Sequence, residues 1–292
     1  MLNHEQSVAY DDLRGWLAEA ERLGELKIVR GASWQRDIGL ASEVVGREDH
    51  GPALLFDDIP GYPTGFRVVA NVFGGRRRNA TLGFPDILGK AELSDRCYDS
   101  FIKATRRIDP VMVKSGPVFE NMIPQDKIDV TKFPAPIWHP EDGGRYIGTG
   151  CYSVTRDPDD GTINVGCYRA MVIDEKTISI LMIEGKHGQV HQKKYFERGE
   201  PMPVALVVGG DPLIFFAAGT EAPAGVNEYA VAGGMRGRAT EVVKGPVTGL
   251  PFPAAAEIVF EGFMHPQDYA PEGPFGEWTG YYAIAEVMGV HT

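Results

Sequence analysis

The chain has 292 residues, 43% hydrophobic and 24% charged, enough for one large domain or two of ordinary size around a buried core. Its net charge of −11 argues against non-specific nucleic-acid binding, which needs a basic face to displace counterions. No apolar run could span a bilayer, the N-terminus lacks a signal pattern, and three cysteines without a CxxC pair make no disulfide framework. A cytoplasmic protein, with neither nucleic acid nor membrane as partner, is the expectation.

Residues 1–110 alternate between helix and strand and predict a small α/β unit. Leu13, Trp16, Leu17, Ala20 and Leu23 recur at helical spacing, and Gly24 is placed to end that helix. A short strand at 26–29, an amphipathic helix over about 37–45 and a buried strand at 53–56 follow. A strand at 66–73 and a helix carrying Leu93, Tyr98, Phe101, Ile102 and Thr105 complete the unit. It contains neither GxGxxG nor GxxxxGK[ST]. The basic run Arg76-Arg77-Arg78 follows Gly74-Gly75 and reads as a solvated loop face rather than an anion site.

Composition changes near Asp109-Pro110, and prolines punctuate a linker or docking segment over 111–147. From 148 to 292 the chain is β-rich. Segments 151–156 and 162–173 flank the turn Asp157-Pro158-Asp159-Asp160-Gly161 as a hairpin. Strands at 178–183, 204–208 and 257–263, with a polar helix at 189–198, point to an antiparallel barrel or sandwich, so the fold class is α+β. A strand or connection begins at 281 and the sequence stops at Thr292 without a terminal helix, which suggests a fragment.

Glu272 and Glu277 bracket Gly273-Pro274-Phe275-Gly276, which cannot be helical. In a straight strand a spacing of five puts them on opposite faces; a turn at Gly-Pro would bring both to one site as a proton-transfer pair. Two solvated glutamates on a surface loop are the alternative. Arg169, inside the apolar run 165–173, must be paired or reach solvent, either binding a carboxylate or forming a structural salt bridge. His187 and His191 share helical spacing, but Gly188 stands where a zinc protease needs glutamate. Asn164 and Glu228 are oxygen donors that could join a histidine at Mn2+ or Mg2+. The cysteines read as core residues, residues 233–237 as a helix end and turn, and Trp138-His139-Pro140 as a packing contact at a loop.

Five ordered segments together resemble one family. Asp142-Gly143-Gly144-Arg145-Tyr146-Ile147 resembles the DGGxYI stretch of the UbiD decarboxylases, and Asn164 with Arg169 their Asn-x4-Arg strand. Ile183-Glu184-Gly185-Lys186-His187 and Gly225-Val226-Asn227-Glu228 are similar to the segments that carry the metal-binding His and Glu. Residues 272–277 supply the most specific match. The resemblance implies a split β-barrel over 148–292 that binds prenylated FMN, made by a separate flavin prenyltransferase. It implies Asn164, His187 and Glu228 as ligands of Mn2+ (or Mg2+) bridging to the cofactor phosphate, with K+ nearby. Arg169, Glu272 and Glu277 would form the catalytic network, Arg169 orienting the substrate carboxylate and Glu277 protonating the carbon after CO2 leaves.

The implied reaction is reversible, non-oxidative decarboxylation of an aromatic or α,β-unsaturated acid. Alternatives are a truncated or subunit form that binds flavin but is inactive alone, and an ordinary FMN-binding reductase module. The resemblance implies a further C-terminal domain beyond the last glutamate, which this chain is expected to lack, and a homo-oligomer or a complex with further subunits. Asn164 and Arg169 have opposite strand parity, so a bend or bulge at Gly166 is expected.

Overall fold

A computed structural model describes residues 8–85, 90–101, 107–220, 222–223, 225–277 and 279–291. Helix α1 (Leu13–Arg22) begins where Asp12 accepts from the Gly15 N–H at 2.7 Å, and Gly24 follows it at φ +71°. Its apolar stripe buries Trp16, whose indole donates to Thr81 Oγ1 at 2.8 Å. Strand β1 (Leu26–Arg30), helix α2 (Asp37–Gly46), strand β2 (Ala53–Asp57) and strand β3 (Val68–Ala70) follow. The three strands form one sheet, β1 parallel and β3 antiparallel to β2. The expected α/β alternation is therefore present. Residues 102–106, at the end of the expected third helix, lie outside the described residues.

Helix α3 (Gly75–Thr81) corrects the reading of the arginine run. Arg77 is 1% exposed, pairs with Glu25 at 3.1 Å and donates to the carbonyls of Asn71 and Gly51. Glu25 also accepts from the N–H groups of Arg76 and Arg77, and these bonds with the Arg77 charge hold its pKa below normal against the opposing effect of burial. Glu25 is remote in sequence, so the local pattern could not show it.

Helix α4 (Lys90–Phe101) precedes strand β4 (Val111–Met112), and the loop segment then leads to strand β5 (Arg145–Gly148). Strands β6 (Tyr152–Arg156) and β7 (Ile163–Gly166) form the expected hairpin, with Thr155 opposite Asn164. Strand β8 (Ala170–Val172), strand β9 (Thr177–Ile180), helix α5 (His187–Glu197), strand β10 (Met202–Val208), helix α6 (Pro212–Gly219) and helix α7 (Glu228–Arg236) come next. Helix α7 ends at Gly237, φ +84°, as the glycine-rich run led one to expect. Strands β11 (Glu241–Lys244) and β12 (Pro251–Pro253) join β4 in a small sheet, and strands β13 (Ile258–Gly276) and β14 (Tyr282–His291) form a long ribbon.

The main sheet runs β5-β8-β9-β14-β13-β10-β6-β7. Strands β7 and β8 lie toward opposite ends of that order yet only three residues, 167–169, separate them in the chain. The sheet must therefore curl on itself until its two ends meet, which gives the barrel. The stretch 162–173, expected as one strand, is broken at this seam: Cys167 N–H leaves the sheet for the Ala218 carbonyl. The expected irregularity after Gly166 is thus present. A side chain at Gly166 would meet the Tyr168 hydroxyl at 2.5 Å, so only glycine fits.

One core cluster joins Val8, Tyr10, Leu13 and Trp16 to barrel residues such as Tyr152, Val165 and Val207, so the N-terminal segment is packed on the barrel. No helix among the described residues is long and apolar enough to cross a membrane.

Candidate active site

Two groups of side chains flank the seam. At its C-terminal side, Arg169 donates from Nε and Nη2 to both oxygens of Glu272, at 2.7 and 2.6 Å, and from Nη1 to Glu277 Oε1 at 2.9 Å. Strand parity would have separated the two glutamates. Instead the register of β13 against β14 shifts between Glu272 and Phe275, where the Gly273–Pro274 peptide is cis and Gly273 has φ +91°. Both carboxylates therefore reach one guanidinium. Burial opposes the charge of Arg169, but its hydrogen bonds to Glu272 outweigh this and hold its pKa above normal.

The pair is asymmetric. The Glu272 side chain is 0% exposed and Glu277 is 29% exposed. Glu277, with Phe275 and Gly276, lines a cleft of about 1310 Å³ whose other walls include Val68, Trp138, Thr149 and Phe215. Glu277 faces the space where a ligand would lie, while Glu272 secures the arginine behind it. The Phe275 ring lies between the Arg169 guanidinium (5.0 Å) and the Tyr146 ring (4.5 Å). Burial, followed by the Glu272 carboxylate beside it, pushes the pKa of the Tyr146 hydroxyl far up.

Asp142 and Gly143 hold this turn from outside. Asp142 accepts from the N–H groups of Trp138, His139 and Gly276 at 3.0, 2.9 and 2.8 Å, and Gly143 N–H donates to the Pro274 carbonyl at 2.8 Å. A side chain at Gly143 would lie 2.0 Å from the Gly273 carbonyl oxygen. Trp138-His139-Pro140 is the expected packing contact: the His139 ring meets Phe275 at 5.7 Å. The DGG motif was visible in the sequence, but its role was not, because the partners that tie it to the turn, Gly276 and Pro274, are over 130 residues away.

At the N-terminal side of the seam, Asn164 is buried on β7, His187 begins α5 and Glu228 begins α7. Asn164 and His187 line one cavity of about 180 Å³ with Gly225 and Val226. Glu228, 3% exposed, accepts from the Val165 N–H at 2.8 Å, beside Asn164. Burial pushes its pKa up to about 7, against that hydrogen bond, with no basic side chain acting on it. A buried carboxylate of this kind suits a bound cation. Among the described residues no three His, Cys, Asp or Glu cluster closely enough to hold a metal. The N-termini of α5 and α7, whose dipoles favour an anion, also lie here.

Gly188 explains the failed protease motif. Its N–H donates to the Tyr168 hydroxyl at 3.0 Å, and a side chain would meet that hydroxyl at 2.6 Å. Tyr168, within the seam, thereby docks the first turn of α5 on the barrel. His191 is buried against Thr155. Cys151 and Cys167 are core residues whose thiol pKa values burial raises, Cys151 to about 12.

The Rift-related domain of 3-octaprenyl-4-hydroxybenzoate carboxy-lyase (UbiD) matches residues 110–292, and the N-terminal domain of the same enzyme type matches residues 17–91. A phenolic acid decarboxylase from Streptomyces sp. (strain D7) is 33% identical over 294 residues, covering 97% of this chain and 60% of the relative. Vanillic acid decarboxylase from Sedimentibacter hydroxybenzoicus, in closed form, superposes with a TM-score of 0.89 at 30% identity, over 97% of this chain and 61% of that one. An evolved dimeric form of the UbiD-class enzyme HmfF from Pelotomaculum thermopropionicum, in complex with prFMN, gives 0.86 at 29% identity, over 97% and 64%. The chain thus spans about 60% of the length of the curated relative it matches.

Proposed function

Because this chain belongs to the UbiD family of carboxy-lyases, we propose that it carries the prenylated-FMN site and the proton-transfer residues of a reversible, non-oxidative decarboxylase of an aromatic or α,β-unsaturated carboxylic acid. The observation that supports this most directly is the Arg169–Glu272–Glu277 cluster, in which Glu277 lines the cleft and Glu272 is buried. Arg169, charged and fixed by Glu272, orients the substrate carboxylate. Glu277 carries the proton at a carboxyl oxygen and delivers it to the carbon that loses CO2; in carboxylation it removes that proton. The turn held by Asp142 and Gly143 keeps Glu277 in position.

Prenylated FMN, when bound, supplies the electron sink that decarboxylation at an unsaturated carbon requires. Asn164, His187 and Glu228 would hold Mn2+ (or Mg2+) against its phosphate, and the helix N-termini beside them favour that anion. K+ and supply by a flavin prenyltransferase follow from the family resemblance.

Co-expression with a flavin prenyltransferase in the presence of Mn2+ and K+, followed by native mass spectrometry and a carboxylic-acid screen, tests the reading. Retention of prenylated FMN with metal is expected. Glu277→Gln should abolish turnover and spare cofactor, whereas His187→Ala should lose metal and cofactor together. Normal turnover in Glu277→Gln would instead favour an ordinary flavin module.

A further inference from the structure

The second histidine of the His187/His191 pair has no place in the ligand set above, yet it is tied to it. Pairing of β6 with β7 sets Thr155 opposite Asn164, and Asn164 Nδ2 donates to Thr155 Oγ1 at 3.2 Å. The same hydroxyl lies 2.9 Å from His191 Nδ1. His191 Nε2 faces Asp157 Oδ2 at 3.7 Å, and Asp157 is anchored by Lys194 Nζ at 2.5 Å and the Asp159 N–H at 2.9 Å. Thr155, Asn164 and His191 are 0%, 5% and 5% exposed. Helical spacing puts His187 and His191 one turn apart on α5, both bordering the small cavity.

A hydroxyl has one proton to give and two lone pairs to receive. With the imidazole proton on Nε2, on the Asp157 side, Nδ1 accepts the hydrogen bond that the Thr155 hydroxyl donates. The Thr155 oxygen is then free to receive from the Asn164 amide nitrogen. Committing that nitrogen to Thr155 turns the amide oxygen away from it. The opposite flip would offer an NH2 group where a cation needs an oxygen.

We propose that Asp157, His191 and Thr155 form a positioning relay that fixes the amide orientation of Asn164, so that its oxygen is presented to the divalent cation. This rests on the assignment of Asn164 as a ligand in the proposed function. Outer partners of this kind typically change metal affinity by ~10–100-fold.

The test is Mn2+ titration of the protein with saturating FMN, following free Mn2+ by electron paramagnetic resonance, with thermal unfolding measured in parallel. Thr155→Val should weaken Mn2+ binding ~10–100-fold and Thr155→Ser should restore it to near wild type. His191→Leu should behave as Thr155→Val, and His191→Asn, which keeps an acceptor near the Nδ1 position, should retain affinity. Should Thr155→Val fail to fold, the two His191 variants decide. If Asn164→Ala loses Mn2+ while Thr155→Val and His191→Leu bind like wild type, the relay is wrong and the ligand assignment stands. If the wild type does not bind Mn2+, or Asn164→Ala binds normally, the ligand assignment fails and the relay with it.

Discussion

Replacing Glu272 by glutamine separates the roles of the two glutamates without an assay for turnover. Glu272 accepts two charge-assisted hydrogen bonds from Arg169, at 2.7 and 2.6 Å, in a contact whose side chains are 0% and 11% exposed. Glutamine keeps the shape and one acceptor, but sets an NH2 group against a guanidinium N–H and removes the buried counter-charge. Loss of a hydrogen bond to a charged group costs about 1.5–3 kcal/mol, and removing one partner of a buried ion pair about 3–5 kcal/mol. Glu277 remains on Nη1 at 2.9 Å and screens part of this, so ~3 kcal/mol is expected. Glu277→Gln can keep its single bond through the amide oxygen and loses only the charge of a side chain 29% exposed, so it should cost no more than ~1 kcal/mol. The difference of ~2 kcal/mol corresponds to roughly 3 °C in Tm for a chain of 292 residues. Thermal and urea unfolding at one pH would measure it, and in a cycle with Arg169→Met the double variant should be less destabilised than the sum of the singles. Equal stability of the two glutamine variants, or the reverse order, would refute the assignment of Glu272 as the structural anchor of Arg169.

Two further outcomes follow from burial and close contact. Glu228 has its folded-state pKa raised from 4.5 to about 7, so in metal-free protein its contribution is fully present below pH 4.5 and lost as pH rises through about 7. That loss is on the order of 3 kcal/mol, and urea denaturation of metal-free protein should show wild type losing stability between pH 5 and 8 relative to Glu228→Gln. Mn2+ should oppose it; a flat difference between the two proteins across that range would contradict the carboxylate's isolation. Gly143→Ala forces a methyl against the Gly273 carbonyl at 2.0 Å, so the turn carrying Glu277 must move, at about 1–3 kcal/mol. Wild-type thermal stability in that variant would show that the turn is not held there.

Features set by neighbours in the chain were legible in the sequence. The stripe of α1, its glycine stop and the Asp-Pro-Asp-Asp-Gly hairpin follow from periodicity and turn chemistry, and each is found. Opposite parity of Asn164 and Arg169 foretold the break after Gly166, because a pleated strand cannot put both on one face. What eluded the sequence depends on register between remote segments. Arg77 is buried because Glu25 and two carbonyls receive it, and Thr155 meets Asn164 because β6 pairs with β7 in one register. Asp142 grips Gly276 across 134 positions. The glutamates of 272–277 were ambiguous by spacing, and the resemblance to a known family singled them out before the β13 register shift showed how they converge.

The seam between β7 and β8 also acts as a ruler. Asn164 and Arg169 belong to the two groups of side chains, and five residues of chain can extend over at most about 17 Å. The backbones at Asn164 and Arg169 therefore stay within that reach whatever the loops around the cleft do, and a ligand that touched both would span that distance, adjusted only by the two side chains. Because the same residues close the barrel, the gauge cannot be lengthened by insertion without opening the sheet. Selection could thus vary the cleft walls for different acids while the distance between the two ends of the site stays fixed.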